Sequence, residues 1–300
     1  MRSKENIITQ TIFNLFCVMV SLCALLPFVL LIIASFTNND WAVAHGYSFF
    51  PQEFSLDAYK YIAVQWGMIG HAYLMTIIVT VIGTVASILI SSLFAYGISQ
   101  KDIPGMKIFN FMLIFTMLFN GGLVATYYTY VRIFPIKDTI LALLLPNLLM
   151  NAFNVILLKN YFTFSVPTEI KEAAKIDGAG EFRVFAQIVM PLSVPIIATI
   201  GVMTALSYWN DWLNGLYYLT ERNGSNLYTI QIVLNNINQN IQVLQQNASM
   251  AASIGASVTQ MPSATIQMAI AVIGILPILV FYPFLQKYFV KGITLGGVKE

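Results

Sequence analysis

The hydrophobic positions of this chain fall into long unbroken runs. They show neither the alternation of half-buried strands nor the narrow stripes of a soluble helical bundle. Six segments, roughly 11–35, 70–99, 107–129, 139–160, 191–219 and 264–287, are apolar enough to be read as membrane spans. A spanning helix needs about 20 such residues. The pattern therefore predicts an all-α polytopic membrane protein of six transmembrane helices, forming a single domain over 1–300. The polar stretches between the runs become an inner loop at 161–190 and outer loops at 36–69 and 220–263. The stretch 223–263 carries no formal charge but is rich in amides, with 13 Asn and Gln. Unpaired amides are costly in hydrocarbon, so it is expected outside the membrane and partly helical.

Composition sharpens the class. The chain is 58% hydrophobic and 9% charged, against about 25% charged in soluble domains. Uncharged intervals of 40, 27 and 64 residues follow Lys60, Arg183 and Arg222. A soluble enzyme, a disordered chain and a disulfide scaffold are excluded, and a net charge of +2 gives no case for nucleic acid. Arg2 and Lys4 precede an apolar run too long for a signal peptide, so that run is read as a retained helix. Cys17 and Cys23 read as small apolar residues, and the scattered His45 and His71 offer no metal set.

Orientation follows from Lys and Arg. One set of loops holds 11 of them and the other holds Lys60, Arg132, Lys137 and Arg222. The positive-inside bias puts the larger set, and both termini, in the cytoplasm. Within the second span, Gly83, Ser87, Ser91 and Ala95 form a stripe of small residues. Such a stripe lets helices approach closely, either inside the bundle or against another subunit.

The inner loop reads SVPTEIKEAAKIDGAGEFRVFAQIVMPLSVP over 165–195. Pro167 suits a first helical turn, residues 169–176 are mostly good helix formers, and Gly178 supplies a stop. A second short helix is expected over about 180–189. Ile170, Ala173 and Ala174 share one side of the first helix, and the two alanines are expected to leave a shallow surface for another protein.

Glu172-Ala173-Ala174, then Gly178, then Ile188, Met190 and Pro191 resembles the "EAA" loop of ABC-importer permeases, with Met190 where Leu is usual. Further segments are similar to the carbohydrate-uptake, maltose-type branch. These are Ala95-Tyr96-Gly97 with Lys101-Asp102-Ile103-Pro104-Gly105, Trp209-Asn210-Asp211, and the C-terminal run Tyr288–Lys299. Pro262-Ser263 with Met268-Ala269, and Tyr282-Pro283-Phe284, resemble the subgroup importing oligosaccharides from polysaccharides.

The resemblance implies the type I ABC-importer permease fold with a cytoplasmic EAA coupling helix. Glu172, Ala173, Ala174, Asp177 and Gly178 would dock a separate ATPase, and Gly296 and Gly297 of the tail would reach it as well. The chain has no Gly-Lys dipeptide and so no phosphate-binding P-loop. It is expected to be no enzyme and to bind no cofactor, with ATP and magnesium held on the ATPase dimer. Implied partners are a second homologous permease, an extracytoplasmic solute-binding protein and a carbohydrate. The implied location is the bacterial inner membrane, and the direction is import. An ion-coupled transporter or channel subunit is the alternative; clear internal repeats and a network of intramembrane charges, which that class would show, are not evident.

Asp211 is the acidic residue placed well inside an apolar run, and such a charge is a functional candidate by default. Trp209 and Trp212 offer flat faces for sugar C–H surfaces, and Asn210, Asp211 and Asn214 offer hydroxyl partners, with Tyr208, Tyr217 and Tyr218 nearby. The spacing puts Asn210 and Asn214 on one helix face. A pairing of Asp211 with a neighbouring helix, or a place at the outer interface, is the structural alternative. Asn120-Gly121-Gly122 is a second, lesser candidate.

Overall fold

A computed structural model describes residues 4–100, 103–246 and 264–280, and over these the chain is helical with one isolated bridge, Thr37 to Phe54. The first helices are α1 (Lys4–Ser35), α2 (Asn39–His45), α3 (Asp57–Val64) and α4 (Trp66–Ser99). Next come α5 (Met106–Leu118), α6 (Gly122–Tyr128), α7 (Leu141–Leu144) and α8 (Ala152–Phe164). The inner loop holds α9 (Thr168–Ile176), α10 (Glu181–Val184) and α11 (Met190–Leu192), joined by a π-helical turn over Phe185–Val189. They are followed by α12 (Val194–Trp209), α13 (Leu213–Tyr218), α14 (Ile230–Gln246) and α15 (Ala264–Val280).

Among the described residues two helical segments, Thr9–Ser35 and Trp66–Ser99, are long and apolar enough to cross a bilayer unaided. The pair Glu181–Leu192 and Val194–Trp209 makes a third if it counts as one span, with an 81° bend between its halves. Among the described residues three apolar segments, 107–129, 139–160 and 191–219, are interrupted, whereas 264–280 is one helix; the 281–287 end of that expected span lies outside the described residues. The 107–129 run breaks after Leu118. There Asn120 Oδ1 accepts the Gly122 N–H at 2.8 Å and Gly122 takes φ +82°, which glycine tolerates without strain. The 139–160 run breaks between α7 and α8, where Pro146 is followed by Asn147 at φ +61°. The 191–219 run breaks at Ser193 and again at 210–212. Pro195 has no N–H to give to the preceding turn, which accounts for the first of these breaks. Apolarity reports what a segment can be buried in, not whether its backbone stays helical.

The chain separates into two compact units. The first comprises Met1–Ile69 and Leu234–Ile278, the second Gly70–Val233 and Leu279–Glu300. In the first, Ser35 and Tyr59 share a hydroxyl hydrogen bond at 2.8 Å, and Asn39 Oδ1 accepts the Ala264 N–H. The described part of α1 exposes its apolar surface almost throughout.

In the second unit the small-residue stripe of α4 is internal. Gly83, Ser87, Ser91 and Ala95 are all buried, and Gly83 lies directly under the ring of Tyr208 on α12. One apolar cluster gathers Val79, Leu143, Leu144, Tyr208, Leu219 and Ile232. Another, at the end of α4 nearest the inner loop, gathers residues of α4, α5, α8 and the inner loop. It includes Tyr96, Leu158, Phe162, Val166, Val184 and Phe185.

Candidate functional site

The inner loop forms a helix, a tight turn and a second helical stretch. Asp177 closes α9 by donating its N–H to Ala173, and Gly178 donates to Lys175 at 3.0 Å. Gly178 has φ +82°, the left-handed conformation in which a side chain is strained. Ala179 then donates to the Ala174 carbonyl, and α10 begins at Glu181. These bonds satisfy carbonyls that the last turn of α9 would otherwise leave open.

Of the residues expected to dock a partner, Glu172, Ala173, Asp177 and Gly178 are exposed. Ala174 is not displayed beside Ala173: it is half-buried and packs against the apolar cluster that holds Tyr96 and Phe185. A helix face that spacing makes uniform is thus divided, with one alanine serving the bundle and one the surface. Ile176 at 86% and Phe182 at 74% are the large apolar side chains left most open on α9 and α10. The tail positions Gly296 and Gly297, and the motif residues 101–102, 262–263 and 282–284, lie outside the described residues.

A polar contact that the sequence did not suggest joins this loop to α4. Tyr96 Oη donates to Glu181 Oε2 at 2.7 Å, and the Lys175 ammonium pairs with the other oxygen of the same carboxylate. The hydrogen bonds from Lys175 and Tyr96 hold the Glu181 carboxyl below the ordinary carboxylate value. Tyr96 was part of the Ala-Tyr-Gly motif, but its partner lies 85 residues away.

The second candidate region sits at the break between α12 and α13. Asp211 Oδ1 accepts the Asn214 N–H at 3.3 Å, so the carboxylate acts on the first turn of α13. Asn210 ends α12, is exposed, and donates its amide to Leu206 of its own helix at 2.9 Å. Asn214 is 5% exposed and donates to the Pro146 carbonyl at 3.0 Å. The expected shared face of Asn210 and Asn214 does not form, because the helix is interrupted between them. Tyr208 and Tyr218 are likewise interior, Tyr208 donating to the Leu144 carbonyl at 2.8 Å. Trp209, Asn210, Asp211 and Trp212 remain open or half-open, with Trp209 near the Tyr73 ring at 6.4 Å between centroids. At Asn120-Gly121-Gly122 the asparagine is engaged in the turn itself.

Residues 93–295 match the model of the family described as binding-protein-dependent transport system inner membrane component. The chain belongs to that family. The match spans the inner loop and everything described after it. This permease is 40% identical over 296 residues to the polygalacturonan/rhamnogalacturonan transport system permease protein YtcP of Bacillus subtilis (strain 168), covering 99% of each chain. It is also 36% identical to Protein LplC of the same organism, covering 92% of this chain and 89% of that one. Among solved structures it resembles a bacterial ABC transporter involved in the import of the acidic polysaccharide alginate. There the TM-score is 0.77 at 30% identity, covering 96% of this chain and 99% of that one. The fold is accordingly that of an ABC-importer permease, and the chain is a membrane transport subunit for sugars.

Proposed function

We propose that this permease forms half of the path of an ATP-driven importer for oligosaccharides, and that the oligosaccharides are acidic. The full-length likeness to a polygalacturonan/rhamnogalacturonan permease, together with the alginate importer's fold, carries the substrate class. A second, homologous permease supplies the other half. ATP is hydrolysed on a separate ATPase dimer, and a solute-binding protein delivers the sugar from outside. The chain lies in the bacterial inner membrane with both termini in the cytoplasm, and six spans are its expected number.

In this reading the ATPase grips α9 and the turn after it. Glu172, Ala173 and Asp177 present a short surface in which a small residue lies between two carboxylates. The exposed Ile176 and Phe182 would add apolar contact. Glu172 pairs with a basic group of the ATPase, and Gly178 sets the angle between the two inner-loop helices.

The test is reconstitution of the chain with its companion permease, ATPase and binding protein in proteoliposomes. Uptake of a labelled oligogalacturonide is expected to require ATP and the binding protein. Glu172→Ala and Gly178→Val are expected to insert normally but to abolish transport-coupled hydrolysis. Normal coupling in both variants, or accumulation by the isolated chain, would overturn the proposal.

A further inference from the structure

α9 has no fully buried residue. Its side-chain contacts beyond the helix include the half-buried Ala174, a long Lys171 Nζ contact to the Phe162 carbonyl at 3.4 Å, and the Lys175 ion pair. A helix held so lightly passes little displacement into the bundle through close packing, because packing transmits only where atoms are already in contact, here at Ala174. The Lys175–Glu181–Tyr96 chain of contacts is different. It begins in the last turn of α9, crosses the turn to the first residue of α10, and ends on α4. The Tyr96 ring is buried among Val184, Phe185 and Leu158, with the Phe185 ring 5.2 Å away. Its hydroxyl meets the one carboxylate that also holds α9.

We propose that Tyr96, Glu181 and Lys175 form a strut that carries movement of α9 to the long helix α4, and that they are positioning residues for coupling rather than docking residues. The proposal rests on the importer reading above. The ion pair is exposed, at 41% and 54% for the two side chains, and an exposed pair alone adds little stability. Its effect comes from joining three elements at one carboxylate. Loss of any member leaves α9 tied to α4 by the chain and by Ala174, so the ATPase can still bind and turn over while less of its motion reaches the membrane helices.

The experiment uses the full complex in proteoliposomes and reads three quantities: ATPase co-purification, ATP hydrolysis stimulated by the binding protein, and sugar uptake per ATP. Tyr96→Phe keeps the buried ring and removes a single oxygen; Lys175→Met removes the charge. Both are expected to retain bound ATPase and stimulated hydrolysis while uptake per ATP falls about fivefold or more, the lower range of measured site-to-site coupling. Lys175→Arg preserves the ion pair and is expected to stay near wild type. Unchanged uptake per ATP in both Tyr96→Phe and Lys175→Met overturns the strut. So does loss of ATPase binding in either, which would assign the residues to docking. A wild-type complex that binds no ATPase overturns the importer reading itself, and is read before any variant is compared.

Discussion

Gly83→Ala tests the closeness of α4 and α12. A Cβ at position 83 would stand 2.4, 2.6 and 2.7 Å from Cζ, Cε1 and Cε2 of Tyr208. Carbon atoms rest at roughly 3.5–4.0 Å, so the ring must retreat by about 1 Å. It has little room, being buried against Val79, Leu143, Leu144, Leu219 and Ile232 and tied by its hydroxyl to the Leu144 carbonyl. Overpacking costs about 1–3 kcal/mol and an unmade buried hydrogen bond about 1–3 kcal/mol, while alanine returns about 1 kcal/mol of helix propensity. The net loss is about 3 kcal/mol, which lowers a melting midpoint by roughly 6–12 °C in a domain of this size. Gly97→Ala, on the same helix, is the control. Nothing lies within 4 Å of its added Cβ, so it should be neutral or gain up to about 1 kcal/mol. Thermal unfolding of the purified variants in one detergent measures the difference. The double variant Gly83→Ala/Tyr208→Leu, which removes the clashing ring, should show coupling of about 0.5–3 kcal/mol. Equal midpoints for Gly83→Ala and Gly97→Ala would refute the reasoning.

Three other outcomes are expected. At Gly178, with φ +82°, asparagine enters the left-handed region more readily than alanine; Gly178→Asn should keep more uptake per ATP than Gly178→Ala, and the reverse order would argue against a conformational role. Asn214→Ala leaves the Pro146 carbonyl without its donor and should cost about 1–3 kcal/mol in thermal unfolding, whereas Asn210→Ala should change stability by less than about 0.5 kcal/mol. The Glu181 carboxyl is lowered from 4.5, so its ion pair and hydrogen bond contribute above that value and are lost as pH falls through the lower folded one. Infrared difference spectra between wild type and Glu181→Gln should therefore show no protonated Glu181 band at pH 5.5 (a band there would refute it).

What could be read from the sequence depended on the range of the interaction. The α9 turn was legible because helix formers, Gly178 and the return to helix lie within a dozen residues and obey local rules. The α4 stripe was legible because a period of four small residues has few uses in lipid; choosing between internal and subunit packing needed Tyr208, 125 positions further along the numbering. The Tyr96–Glu181 contact was not legible, since nothing in either residue's neighbourhood names the other. The division between Ala173 and Ala174 was hidden for the same reason, because spacing assigns a face but not what covers it.

The breaks in the helices give several polar residues around 208–214 a structural task. Between α7 and α8 the backbone leaves the helix, and carbonyls there lose their usual donors. Inside a bilayer such groups must find partners within the protein. Two of them do: Leu144 takes the Tyr208 hydroxyl and Pro146 takes the Asn214 amide. At the neighbouring interruption, the Asp211 carboxylate accepts the backbone N–H of Asn214. A sugar and an interrupted backbone present the same chemistry, hydroxyl- or amide-like groups wanting hydrogen bonds, so the same side chains suit both. Asn214 and Tyr208 are committed to the backbone and Tyr218 is buried, which leaves Trp209, Asn210, Asp211, Trp212 and Tyr217 as the members of the set still open or half-open. A substrate role in this region is therefore to be tested first at these open positions, where Asp211 already accepts a hydrogen bond from the start of α13.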